Sequence, residues 1–498
     1  MTDTLIRVGE TRESELDPKR FFVLAVVAIA QLMLVLDASV VVVALPSAQH
    51  ALHISIANRQ WVVSAYTLAF GSLLLLGGRI ADYLGRRRMF VIGLIGFAVA
   101  SALGGLAQNA GMLFGARALQ GAFGALMAPA ALSILTTTFT EPTERARAFG
   151  VYGGISGGGA AIGLILGGTL TEFASWRWTL LINVPIAIFA AVAAMRIVSE
   201  SRGQSGSSYD LPGAAAVTAA LFLLVYGFTI AGSHGWSAPL TLELLGSSLA
   251  MLAVFVTIEL HSTHPLLPLR VVLDRNRGGA YLTSLLVGCG MLGTFLFLTY
   301  FFQGTLHYSA LKTGLAFLPF SGGIVVGAAL ASKSLPRVGP RALMTVGLLL
   351  ASAGLTWFTR LTPDASYLAH VLPGLIVVSI GIGLTFVPMS STALIGVDPH
   401  DAGVASALVN ATQQVGSSLG TALLNTVAAS ATASYFVANA HQFGVTAAAP
   451  VHGYTTGFTV SAALVLVAAM VALLVIRASR DQLQPNESFV PELTPEAA

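Results

Sequence analysis

Apolar runs of membrane-crossing length alternate along the chain with short polar connections. A helix needs about 20 mainly apolar residues to cross a bilayer. Fourteen runs meet that description: 21–46, 60–78, 89–107, 110–137, 146–170, 178–197, 211–232, 239–260, 278–303, 313–332, 341–360, 367–389, 402–432 and 455–477. The first, from Phe21 to about Pro46, is too long for a signal-peptide core and lacks a cleavage site, so it reads as a spanning helix. Residues 1–20 and 478–498 are polar and mixed in charge and read as tails. The polar link 199–210 (SESRGQSGSSYD) separates the first six runs from the rest, and Asp210 is placed to cap the seventh helix. An outer polar connection is expected over 434–454.

Composition agrees with this pattern. The 498 residues are 55% hydrophobic and 9% charged, with a mean hydropathy of +0.80. Soluble domains carry about 25% charged residues, so a water-soluble globule of this size is excluded. The expected class is an all-α polytopic membrane protein. The basic residues test the spans, because cytoplasmic loops collect Lys and Arg. With the N-terminus inside, 20 of the 25 fall on the inner side. Four (Arg59, Arg177, Lys312, Arg360) fall outside, and Arg117 lies within a helix. Both termini are therefore expected in the cytoplasm of a bacterial cell, with the chain in its cytoplasmic (inner) membrane. The single cysteine, Cys289, excludes an internal disulfide and reads as a small buried side chain.

The chain repeats itself. GRIADYLGRRRMF (78–90) follows the second run and SKSLPRVGPRALM (332–344) the tenth. Aligned on Gly85 and Gly339, they match at Arg79/Lys333 and Arg87/Arg341, while Pro336 stands opposite Asp82. The organisation expected is a six-helix bundle over 21–199, a linker with two inserted helices over 200–277, and a second six-helix bundle over 278–477. Duplicated halves are the architecture of secondary transporters, with substrate handled between them near mid-membrane.

Two ionisable groups lie deep in the first half. Asp37 is roughly 14 Å below the outer end of its helix, and Arg117, on a helix running the other way, is roughly 10 Å below the same surface. Each charge costs about 2.5–3.5 kcal/mol at a helix centre, and matching depth implies one shared polar interior. Two readings are open: a structural ion pair locking two helices, or a carboxyl that takes up and releases a proton as its surroundings change. Gln120 lies one turn from Arg117. Asn410, Gln413 and Gln414 share one face of the thirteenth helix, and Tyr300 and Gln303 end the ninth. They read either as interhelical hydrogen bonds or as the lining of a substrate cavity. The fifth helix, FGVYGGISGGGAAIGLILGG (149–168), carries two ladders at a spacing of four: Gly150, Gly154, Gly158 and Gly159, Gly163, Gly167. Such ladders permit close backbone approach.

These motifs, in this order over about residues 25–477, resemble the major facilitator superfamily, and within it the fourteen-helix drug:proton antiporters. LDASVVVVALP (36–46) is similar to that family's first-helix motif, with Asp37 as the membrane carboxylate. GGRIADYLGRRR is similar to its loop between helices two and three, carried here by Gly78, Asp82, Gly85, Arg86 and Arg87, with Tyr83 in place of a basic residue. RALQG (117–121) is similar to the fourth-helix motif, and SWRWTLLINVP (175–185) to the entry into helix six. The antiporter motif is matched by Gly154, Gly158, Gly163, Gly167 and Gly168, except that Leu164 stands where the family has proline. The resemblance implies alternating access, proton coupling through Asp37 and Arg117, and gating by the helix-two/three loop. One physical expectation for that loop is that Asp82 faces the positive end of the thirteenth helix near Ala402.

The function expected is proton-driven export of amphipathic drugs or antibiotics by a monomer, without cofactor or metal and without nucleic acid. The substitution at Leu164 keeps a second transporter reading open, in which the cargo is an endogenous metabolite or lipid precursor, exported or imported. A membrane-embedded enzyme ranks below both. The ten histidines sit mostly in loops or near helix ends, and HSTH (261–264) has no deep carboxylate or cysteine beside it. A Walker-type phosphate loop is absent from the sequence.

Overall fold

A computed structural model describes residues 19–55, 58–139, 141–202, 210–262, 267, 269–397 and 402–478. In chain order its helices are α1 (Arg20–Ala51), α2 (Trp61–Leu84), α3 (Arg86–Gly105), α4 (Ala110–Thr138), α5 (Pro142–Phe173), α6 (Trp178–Leu181), α7 (Asn183–Ile197), α8 (Leu211–His234) and α9 (Pro239–His261). They continue as α10 (Leu269–Val272), α11 (Arg275–Tyr300), α12 (Ala310–Ala316), α13 (Leu318–Val338), α14 (Pro340–Phe358), α15 (Leu372–Ala393), α16 (Ala402–Ala438) and α17 (Val445–Leu474). Two π-helical turns, Phe301–Thr305 and Tyr367–Val371, adjoin α11 and α15. Among the described residues there is no strand.

Among the described residues, eleven helical segments are long and apolar enough to cross a membrane, or twelve when the bent α2 counts as one. Length and composition alone thus stop short of the fourteen spans predicted. The two remaining long helices are α5, whose apolar stretch is Gly159–Phe173, and the 37-residue α16. Several predicted edges move. The first helix continues through Pro46 to Ala51, and the second runs on to Leu84. The connection expected over 434–454 is mostly helix, because α16 reaches Ala438 and α17 already begins at Val445. A run without charges has no local reason to leave the helix, and Pro450 is accommodated inside α17.

The repeat has a backbone counterpart. Gly85, between α2 and α3, has φ +111°, and Gly339, between α13 and α14, has φ +83°. Both occupy the region that side chains avoid, so each half turns a helix pair at a glycine. Asp210 caps α8, its Oδ1 accepting from Gly213 N at 2.7 Å.

The helices define an arginine-rich end, which holds the α2–α3 turn, and an arginine-poor end, which holds the C-terminus of α1. One apolar core runs through the second half and joins the first towards the arginine-poor end, with Val41, Leu45, Leu113 and Trp176 from the first half and Phe297, Phe301, Phe302 and Phe317 from the second. A second core, around Phe90, Phe97, Leu135 and Phe139, belongs to α1–α7 except for Ala411 of α16. Helix α8 packs against both α2 and α16, and Thr218 Oγ1 donates to the carbonyl of Ser72 at 3.0 Å.

Candidate functional site

Asp37 of α1 and Arg117 of α4 meet in the interior of the first half. Arg117 Nη1 lies 2.6 Å from Asp37 Oδ2, and the side chains are 1% and 0% exposed. The guanidinium makes further contacts. Nη1 donates to Gln120 Oε1 at 2.9 Å and Nε to the Val62 carbonyl at 3.0 Å. Its carbon sits 4.4 Å from the centre of the Tyr66 ring, within cation–π range. The other carboxylate oxygen, Asp37 Oδ1, accepts from Gln120 Nε2 at 2.9 Å and from Asn183 Nδ2 at 2.8 Å. Gln120 Nε2 also donates to Ser101 Oγ at 2.7 Å. A buried pair is tolerable only when its remaining lone pairs and protons find partners, and groups from α1, α2, α4 and α7 supply them to both Asp37 oxygens and to Arg117 Nη1 and Nε.

Local sequence explains how those helices come so close. Gly159, Gly163 and Gly167 of α5 lie against Leu32, Val35, Leu36, Ser39 and Val40 of α1, the turns on either side of Asp37. A Cβ at Gly167 would stand 2.9 Å from Val40 Cα. Pro185 has no N–H to bond the carbonyl of Leu181, and the helix breaks at Ile182 between α6 and α7. Asn183 opens α7 directly after that break. Towards the arginine-poor end the site is roofed by apolar side chains. A void of about 10 Å³ there is lined by Val41, Leu45, Val62, Leu113, Trp176 and Arg117, which is near the lower limit for one water.

The other residues singled out from the sequence fall elsewhere. Asp82 pairs with Arg86 one turn on, at 2.9 Å. The side chains of 398–404 lie outside the described residues, and with them the expected partnership near Ala402. Glu200, just after α7, was not singled out from sequence. Its carboxylate accepts from the backbone N–H of Arg87 at 3.1 Å and of Arg88 at 3.2 Å. A Cβ at Gly85 would stand 2.7 Å from Glu200 Oε1. Gly78 lies against Pro129 of α4. Gly154 and Gly158 are on α5, but their packing lies outside the described residues. Gly168 faces the second half: a Cβ there would be 2.7 Å from the Ala310 carbonyl oxygen.

Tyr300 and Gln303 are in the joint between halves at the arginine-poor end. Gln303 Nε2 donates to the Val43 carbonyl at 2.9 Å, and Tyr300 OH to Gln49 Oε1 at 3.3 Å. The Arg59 guanidinium lies 3.7 Å from the Tyr300 ring centre, and Leu311 N donates to Glu172 Oε2 at 2.9 Å. Above this joint opens a vestibule of about 1030 Å³, lined by Gln49, His50, His53, Arg59, Tyr300 and Gln303 among others. At mid-depth Thr67 Oγ1 and Ser418 Oγ are 3.0 Å apart. On α16, Asn410 is exposed, whereas Gln413 and Gln414 are half-buried near Gly288 and Gly71. Of the HSTH pair, His261 meets the Thr257 carbonyl at 2.8 Å, and His264 is outside the described residues. Among the described residues, no group of three or more His, Cys, Asp or Glu is placed to hold a metal.

The family model described as Major Facilitator Superfamily matches residues 27–421. The puromycin resistance protein pur8 of Streptomyces alboniger is 49% identical over 463 residues, covering 92% of each chain. The cephamycin export protein CmcT of Amycolatopsis lactamdurans is 41% identical, covering 81% of this chain and 84% of its own. Among solved structures, a bacterial homologue of the human lysosomal transporter Spinster aligns with a TM-score of 0.65 at 18% identity, over 94% of this chain and 99% of that one. That likeness concerns the fold.

Proposed function

This chain belongs to the major facilitator superfamily, and from that premise we propose that it exports amphipathic antibiotics across the bacterial cytoplasmic membrane in exchange for protons. It is a multi-pass membrane transporter, not an enzyme. Antibiotics of the kind named for its relatives are the substrate class, and puromycin is the first compound to test. The protein works as a monomer with both termini in the cytoplasm, fourteen spans, and halves at 21–199 and 278–477 flanking the inserted pair. The proton gradient is its energy source and no cofactor takes part.

The observation that carries the coupling is the Asp37–Arg117 pair, fully enclosed at 2.6 Å. A charge pair with no exposure cannot exchange a proton with water until the helices around it move, which ties protonation to conformation. The hydrogen bonds described between the halves run from mid-depth to the arginine-poor end, which supports a state closed to the outside. Tyr300 and Gln303 latch that state. Asp82, Arg86 and the α2–α3 turn secure the opposite closure, while Asn410, Gln413 and Gln414 line the path of the cargo.

The test is efflux of puromycin and of ethidium in inverted vesicles under an imposed proton gradient, for the wild type and Asp37→Asn. Gradient-driven movement by the wild type, lost in the variant at equal protein level, is the expected result. Equal transport by both sinks coupling through Asp37. No movement of either compound redirects the search to endogenous metabolites.

A further inference from the structure

Two carboxamides donate to the same oxygen of Asp37, and they are not equivalent. Gln120 is locked: its Oε1 accepts from Arg117 Nη1 and its Nε2 also bonds Ser101 Oγ. Turning that amide over would break its bonds with Arg117 and Asp37 and set its NH₂ against a guanidinium. Asn183 is fully buried, its Nδ2 meets Asp37 Oδ1 at 2.8 Å, and its Oδ1 has no hydrogen-bond partner among the described residues. The bond to Asp37 is therefore the one described bond of the Asn183 amide that a half-turn would break.

That freedom matters because of what surrounds Asp37. As a carboxylate it accepts three donors: Arg117 Nη1, Gln120 Nε2 and Asn183 Nδ2. When it takes up a proton, one oxygen becomes an O–H, and the pair with Arg117 passes from neutral to a net charge of +1. The new O–H needs an acceptor. Arg117 offers only donors. Gln120 Oε1 is committed. The remaining acceptor on the groups that touch Asp37 is Asn183 Oδ1.

We propose that Asn183 is the positioning residue that lets Asp37 hold a proton, its amide donating to the carboxylate through Nδ2 and turning over to accept from the carboxylic acid through Oδ1. One side chain thereby serves both protonation states, and neither leaves Asp37 with an unmatched polar atom. The inference rests on the reading of Asp37 as the group that takes up the proton. It adds a reason why the carboxylate sits beside the α6–α7 break, since a side chain at the start of a helix is less confined by the preceding turn.

The experiment is infrared difference spectroscopy of the purified full-length protein in lipid, stepping the pH downward, with Asn side-chain carbonyls carrying a heavy carbon label. A carboxylic-acid band that vanishes in Asp37→Asn assigns the proton. The expected result is an Asn amide carbonyl signal that rises with that band and is missing from Asn183→Leu, where the Asp37 band also moves to the position of a free carboxylic acid. An Asp37 band with no accompanying Asn signal overturns the proposal and leaves the proton reading intact. Absence of any Asp37 band overturns the proton reading itself. Should Asn183→Leu fail to fold, the labelled wild type alone decides between these outcomes.

Discussion

Removing one member of the Asp37–Arg117 pair is worse for the fold than removing both. Arg117→Met leaves a carboxylate at 0% exposure without a counter-charge and takes the donors from Gln120 Oε1 and the Val62 carbonyl. Asp37→Leu leaves the guanidinium unpaired and deprives Gln120 and Asn183 of an acceptor. Breaking a buried pair from one side costs about 3–5 kcal/mol, so each single variant should lose that much. The double variant keeps no buried charge. The amide and carbonyl groups it leaves unmatched are the ones that the two single variants lose separately, at about 1–3 kcal/mol for each that finds no other partner, so they cancel in the double-mutant cycle. The cycle isolates the penalties of the two unpaired buried charges, and the coupling between the sites is about 3 kcal/mol or more. Reversible unfolding in mixed micelles measures it, read by tryptophan fluorescence because Trp176 lines the void beside Arg117. Additivity within about 0.5 kcal/mol refutes the reasoning, because it means the two charges do not sense each other. Vesicle transport completes the separation: the double variant should fold and carry no proton-driven flux.

Gly167→Val should destabilise the α1–α5 contact by about 1–3 kcal/mol, whereas Gly150→Ala, which meets open space, should be silent; thermal unfolding of both distinguishes them, and equal effects refute the packing account. Glu200→Ala should speed hydrogen exchange at the amides of Arg87 and Arg88, which lose their acceptor; unchanged exchange shows that the carboxylate does not hold the turn. Glu172→Ala should speed hydrogen exchange at the amide of Leu311, which loses its acceptor across the joint between the halves; unchanged exchange shows that this carboxylate does not tie the halves together.

Much of the site was legible because charge in hydrocarbon is conspicuous. Asp37 and Arg117 stood out by their cost, and depth arithmetic placed them near each other. Asn183 did not stand out: an amide carries no comparable cost, and 146 residues separate it from its partner. Its local marks were the motif SWRWTLLINVP around it and Pro185 two positions on, and neither says that the amide meets Asp37. Tyr300 and Gln303 were visible as polar residues at a helix end, but whether they face cargo or the other half depends on which helices meet, and periodicity does not encode that. Glu200 was hidden in a polar link that looked merely solvated. For the fold, hydropathy located the helices well and their ends poorly, since apolar content says where a helix is stable in lipid and not where its backbone stops.

The position of α8 has a consequence for traffic from the bilayer. It lies along the groove where α2 meets α16, tied to α2 through Thr218 and Ser72 and backed by α9. A two-bundle transporter has two lateral slits through which an oily molecule dissolved in the leaflet can slip inward. Here one slit carries a shutter made from the same chain, while at the opposite one, where α5 meets α12 and α13, neither α8 nor α9 makes a comparable contact among the described residues. On the proposed export of amphipathic antibiotics, a lipid-borne cargo would meet a molecule with a front and a back, set by where α8 and α9 lie.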